Sequence, residues 1–176
     1  MIAHRIKLTL ETTSRADAAA HLRTSGDAVL ISRGAPRWLI LRCPCGCGEE
    51  VPVNLDPRSG KAWRLYRSTK AGLTLFPSVW RDTGCESHFV ILRDRILMLG
   101  GWDLADREPA RFDVQSLSER VLAAWPGNGY ASYVDVADAL KEIPWDVQDA
   151  CRWLVKKGML EEANGTRRGW YKKVRP

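Results

Sequence analysis

Cys43-Pro44-Cys45-Gly46-Cys47-Gly48 is the stretch on which the reading of this chain turns. Further along, Cys85-Glu86-Ser87-His88 repeats the same chemistry. Four of the five cysteines and one of the three histidines fall in these two short segments. Soft thiolates and an imidazole gathered at two knuckles make the donor set of a tetrahedral zinc site. Gly46 and Gly48 give the backbone the freedom for the tight turn that points the thiolates inward. Cys43, Cys45, Cys47, Cys85 and His88 compete for four positions, and the spacing does not choose among them. A disulfide framework explains the clustering less well, because cysteines one residue apart pair poorly. The start Met1-Ile2-Ala3-His4-Arg5 carries no signal-peptide pattern, so a reducing, cytoplasmic setting is expected. C-x-C followed by C-x2-H also resembles the Rieske ligand pattern with one Cys in place of a His. A [2Fe–2S] cluster in an electron carrier is therefore the alternative cofactor. In both cases four protein ligands close the coordination sphere, and hydrolysis by a metal-bound water is not expected.

Working outward from the knuckles, the flanking sequence reads as β structure. Residues 5–12 alternate polar and apolar, as a half-buried strand does. An alanine-rich stretch from Ser14 to Arg23 predicts a short helix. Ala28–Ser32 and Arg37–Cys43 form a hairpin about Arg33-Gly34-Ala35-Pro36, whose second strand delivers Cys43. Val51–Leu55 leaves the knuckle, and Pro52 predicts an edge strand. Ala62–Arg67 alternates again, and Leu73–Leu75 reads as a short strand stopped by Pro77. His88 opens a last hairpin, Phe89–Leu92 and Ile96–Leu99 about Arg93-Asp94-Arg95. Residues 1–102 are thus expected to be a β-rich unit pinned by metal, which so small a fold needs for stability. Residues 103–112, charged and containing Pro109, read as a linker.

Residues 113–176 change character. Leu117, Val121, Leu122 and Trp125 recur at helical spacing. A second helix runs over Tyr133–Glu142 behind Ser132 as its cap. A third begins with Pro144 at its first position and ends before Gly158. Met159–Glu162 and Trp170–Val174 then flank Asn164-Gly165, a strong hairpin signal. Three helices followed by a hairpin is the winged-helix order, so the chain as a whole is expected to be α+β. Cys151 falls on the packed face of the third helix and reads as a core residue.

Net charge is +6 and the isoelectric point is near 9.2. Residues 152–176 hold eight basic and two acidic residues, so the charge concentrates at that end. Trp145, Gln148, Arg152, Arg167, Arg168 and Lys172 are the candidate contacts to a partner. Asp146 and Asp149 would face phosphates on a recognition helix, which favours a protein partner over DNA; a DNA-binding regulator is the second reading. No P-loop, dinucleotide fingerprint, G-x-S-x-G elbow or H-E-x-x-H pair occurs, and His4 and His21 read as solvated. No apolar run reaches the roughly 20 residues of a membrane span.

Cys43-Pro44-Cys45-Gly46-Cys47-Gly48, then Leu75-Phe76-Pro77-Ser78-Val79, then Cys85-x-Ser87-His88-Phe89 and a hairpin resemble a family of small bacterial zinc-binding proteins. Some members of that family are encoded beside bacterial ubiquitin-like proteins and their E1- and E2-like enzymes. The resemblance covers roughly residues 28–102 and does not include the winged helix. It implies a zinc-stabilised adaptor that docks an E2-like enzyme or a ubiquitin-like protein, a ligase-like accessory factor without its own catalytic residue.

Overall fold

The strand β2 (Asp27–Ser32) is buried over its first five residues, which no half-exposed strand would be. Its alternate side chains serve two cores. Ala28 and Leu30 face one cluster, with Leu39, Leu41, Val51, Val53, Leu75, Phe89 and Ile91; Val29 and Ile31 face another, with Ala18, Leu22 and Ile40. The computed structural model describes residues 1–68, 72–99, 113–127 and 129–174. The chain divides into two compact units, Met1–Asp103 and Leu104–Pro176. The expected linker at 103–112 lies outside the described residues.

Unit 1 holds two four-stranded sheets. In the first, β1 (Lys7–Thr12) runs parallel to β2, and β3 (Pro36–Arg42) and β4 (Glu50–Asn54) follow antiparallel. Pro52 falls in β4, an edge strand of this sheet, where its missing N–H costs no ladder bond. In the second, β5 (Arg64–Ser68), β6 (Gly72–Trp80), β7 (His88–Leu92) and β8 (Arg95–Leu99) form an antiparallel meander. The larger core lies between the sheets, and residues 15–22 cover the opposite face of the first.

Three elements depart from the expectations. Ser14–Arg23 forms two single 3₁₀ turns, Arg15–Asp17 and Ala19–His21, instead of a helix. The stretch is too short to repay helix nucleation, and Ser14 caps the first turn by accepting the Ala16 N–H at 3.2 Å. The strand expected to stop at Leu75 continues to Trp80. Pro77 is accommodated because β6 takes four steps between Leu75 and Val79 while β7 takes two between their partners, Ile91 and Phe89. A bulge of this kind interrupts the ladder where proline has no donor to offer. Finally, Asn164-Gly165 opens a longer loop holding a 3₁₀ turn at Gly165–Arg167, not a two-residue hairpin turn.

In unit 2, α1 (Val114–Ala123) is capped by Asp113, which accepts from the Gln115 and Ser116 N–H groups. α2 (Tyr133–Leu140) is capped by Ser132, and α3 (Pro144–Lys156) opens on proline. β10 (Leu160–Glu162) pairs with β11 (Trp170–Lys173), and β9 (Ala131–Ser132) adds to the other side of β11. Val121, Val147, Ala150, Cys151, Leu154 and Tyr171 fill its core. Burial pushes the Cys151 thiol up to about 12, as befits a core residue.

Loop 54–63 is built on one buried carboxylate. Asn54 ties it by donating to the Asp56 and Lys61 carbonyls. Asp56 is gripped by Arg58 and Arg37, which hold its carboxyl well below the usual range. A carboxylate with a lowered folded pKa adds stability above its unfolded value and loses it as pH falls through the folded one. Asp56→Asn should therefore lower the melting temperature at pH 7. The gap from wild type should shrink as pH drops below about 4, which thermal melts across pH will check.

Candidate functional site

The first knuckle, residues 43–49, joins β3 to β4; the second, residues 81–87, joins β6 to β7. One belongs to each sheet of unit 1. Cys43 is fixed by its N–H to the Glu49 carbonyl at 2.8 Å, and Gly46 and Gly48 take positive φ. A side chain at Gly46 would meet the Met1 backbone at 2.9 Å. The sulfurs of Cys43, Cys45, Cys47 and Cys85 lie within 4.8 Å of one another. Cys43 is buried, Cys45 and Cys85 half-buried, and Cys47 exposed.

Four thiolates at the Zn–S length of about 2.3 Å stand roughly 3.8 Å apart at the corners of a tetrahedron. The Cys43–Cys45 and Cys43–Cys85 sulfur separations are 3.4 and 3.7 Å. The donor set therefore fits one ion, and is too tight for the two metals that a [2Fe–2S] cluster places between its ligand pairs. Without a cation the thiols cannot all ionise. Burial pushes Cys45 up to about 12 and also raises Cys47. Burial opposes ionisation of Cys85 too, but hydrogen bonds from Ser87 and from Cys45 and Cys47 outweigh it and draw it down to about 6. A divalent ion would relieve this conflict for all four.

His88, the fifth candidate ligand, is turned elsewhere. Its Nε2 lies 2.9 Å from Ser78 Oγ. His88 pairs with Trp80 across the β6–β7 ladder, so Ser78, two residues before Trp80, shares its face of the sheet. The β6 bulge brings the hydroxyl to the imidazole. Where the ladder is interrupted, the Ser78 carbonyl accepts the Trp63 indole N–H at 3.1 Å. Trp63 is in turn placed by its own N–H to the Asn54 carbonyl. Trp80 stands beside the pair, 71% exposed, its ring centroid 6.0 Å from that of His88. A serine hydroxyl bonded to a histidine nitrogen is the arrangement of a nucleophile and its general base. Among the described residues it is a dyad, with no carboxylate hydrogen-bonded to His88.

The candidate partner contacts of unit 2 do not share one environment. Trp145 and Gln148 are half-buried on α3. Arg152 is exposed and pairs with Asp149 at 3.4 Å. Lys172 is taken up by Glu161 at 3.2 Å and lies over the Tyr130 ring. Arg167 and Arg168 are exposed in the loop between β10 and β11. Among the described residues, no helix is long and apolar enough to cross a membrane.

Comparison with protein families adds one observation. Residues 14–99 match the family described as "Bacterial ubiquitination-like system serine protease (BubE)". The matched span contains both cysteine knuckles, Ser78 and His88. Comparison with curated proteins and with solved structures finds no match.

Sequence reasoning missed Ser78 for two reasons. Pro77 hid the strand that carries it, and the C-x2-H spacing drew His88 to the metal. Extending β6 through the proline would have set Ser78 and His88 on one face of a hairpin. For the cysteines the expectation is direct. Purified protein should carry one metal ion per chain, and Cys43→Ser should abolish that and lower the melting temperature by roughly 10 °C or more. Elemental analysis with thermal melts will check it.

Proposed function

We propose that unit 1 is a serine hydrolase that cuts peptide or isopeptide bonds in a bacterial ubiquitin-like conjugation system. The observation that carries this reading is the 2.9 Å contact between Ser78 Oγ and His88 Nε2, within a segment matching a family described as a serine protease. Ser78 is the nucleophile. As its oxygen adds to the substrate carbonyl, its proton passes to His88 Nε2. The tetrahedral adduct then collapses, His88 protonates the departing amine, and an acyl ester remains on Ser78. Water, deprotonated by His88, cleaves that ester and restores both residues.

Cys43, Cys45, Cys47 and Cys85 would hold zinc. Four thiolates close the ion's coordination sphere, so it supplies a crosslink between the two knuckles and no activated water. The substrate is a protein: a ubiquitin-like chain at its C-terminal junction, or a conjugate of it. We read unit 2 as a winged helix that docks a protein partner. Asp146 is buried and would not face phosphates, contrary to the expectation, but Asp149 on α3 and the engagement of Arg152 and Lys172 by acidic neighbours favour protein over DNA in that role.

A fluorophosphonate probe, which captures activated serines, tests the reading. Wild type should be labelled at Ser78, and should release a reporter fused to the C-terminus of a bacterial ubiquitin-like protein. Ser78→Ala and His88→Ala should each cut the rate by roughly 10³-fold or more with unchanged melting curves. A wild-type chain that is neither labelled nor active, yet still captures the ubiquitin-like protein or an E2-like enzyme, would return the function to a non-catalytic adaptor.

A further inference from the structure

The segment that joins the two strands of the Ser78–His88 pair is also the segment that carries Cys85. At one end Arg81 follows Trp80; at the other Ser87 precedes His88. The Arg81 N–H donates to the Ser87 carbonyl at 3.0 Å, extending the ladder one step beyond the Trp80–His88 pairing. Both residues then reach into the sulfur cluster. Ser87 is 7% exposed, and its Oγ lies 3.3 Å from the sulfurs of Cys43 and Cys85. The Arg81 side chain, 16% exposed, pairs with Glu49 of the other knuckle at 2.5 Å. Its Nη1 stands 3.2 Å from Cys85 Sγ and 3.9 Å from Cys47 Sγ.

The space around this ion pair is fully used. A Cβ at Gly84 would come within 2.8 Å of the Glu49 carboxylate and 3.3 Å of the guanidinium. Four thiolates on a divalent ion keep a net charge of −2, and a cation directed at two of them offsets part of it. The forked guanidinium can hold Glu49 and the sulfurs at once, which a lysine ammonium on its flexible stem does less well.

From this geometry we infer that Arg81 is a positioning residue that couples the cysteine cluster to the Ser78–His88 pair. By holding Glu49, Cys85 and Cys47 together it sets how firmly the knuckles grip their metal. By anchoring its own end of the main-chain Arg81–Ser87 rung to the other knuckle, the side chain steadies the register that brings Ser78 to His88. The second half of this inference rests on the hydrolase reading above; the first half does not.

The test uses the full-length, zinc-loaded chain and two readouts. One is the rate of zinc transfer to a chromogenic chelator; the other is the rate of fluorophosphonate labelling at Ser78. Arg81→Met should speed zinc release by about 10- to 100-fold, the usual effect of losing such a partner, and should slow labelling about 10-fold or more. Arg81→Lys should fall between Met and wild type in both. Glu49→Gln should speed release, and Arg15→Met, at an exposed site outside the knuckles, should change neither rate. If Arg81→Met fails to fold, Arg81→Lys and Glu49→Gln carry the test. Wild-type zinc release in the folded Arg81 variants would overturn the inference, as would faster release with wild-type labelling. If wild type itself resists the probe, the hydrolase reading and the coupling fall together, and the release rates alone still decide whether Arg81 holds the thiolates.

Discussion

Four sulfur atoms within 4.8 Å of one another make a costly arrangement unless a cation sits among them. Unit 1 accepts that constraint at the place where it is most useful. The knuckles belong to different sheets, and the core between those sheets depends on their staying in contact. The fully buried Cys43 belongs to that core as well as to the cluster. A metal bound by the four sulfurs would therefore stabilise the same state as sheet packing, which suits a β unit of this size.

The Ser78–His88 pair depends on an irregularity in a strand that the cluster anchors. A regular β6 would keep Ser78 in the ladder; the bulge at Phe76–Ser78 releases it toward the imidazole, and Trp63 takes the carbonyl that the bulge leaves over. That indole is reached through Asn54 and the Asp56 loop, so Ser78 is supported from both sheets. Groups that must hold a reactive geometry are best carried on rigid elements with such backing.

Much of this was legible in the sequence because the signals were chemically scarce. Cysteines clustered beside glycines announced the two knuckles, Ser132 and Pro144 marked the starts of α2 and α3, and alternation marked the hairpins of unit 1. The losses came where one residue type carries two meanings. Proline usually ends a strand, yet Pro77 sits in a bulge within one. A histidine three residues after a cysteine is usually a ligand, yet the His88 ring nitrogen lies against Ser78 Oγ. Alanines favour a helix, yet residues 15–22 are too few to sustain one and instead seal a sheet face with 3₁₀ turns. Asn-Gly favours a two-residue turn, yet the loop at 163–169 uses Gly165 to begin a 3₁₀ turn.

The residues ahead of β1 have a role that their position alone would not suggest. Arg5 bridges to Arg95, the Ile6 N–H donates to the Asp94 carbonyl, and the Ile96 N–H donates to the His4 carbonyl. Together these lay a short stretch of chain along the outer side of β8. An open strand edge is a template on which other chains can pair and grow into aggregates. Residues 4–6 take up that template at the start of β8, so the same few bonds that tie the beginning of the chain to the second sheet also guard that sheet against self-association.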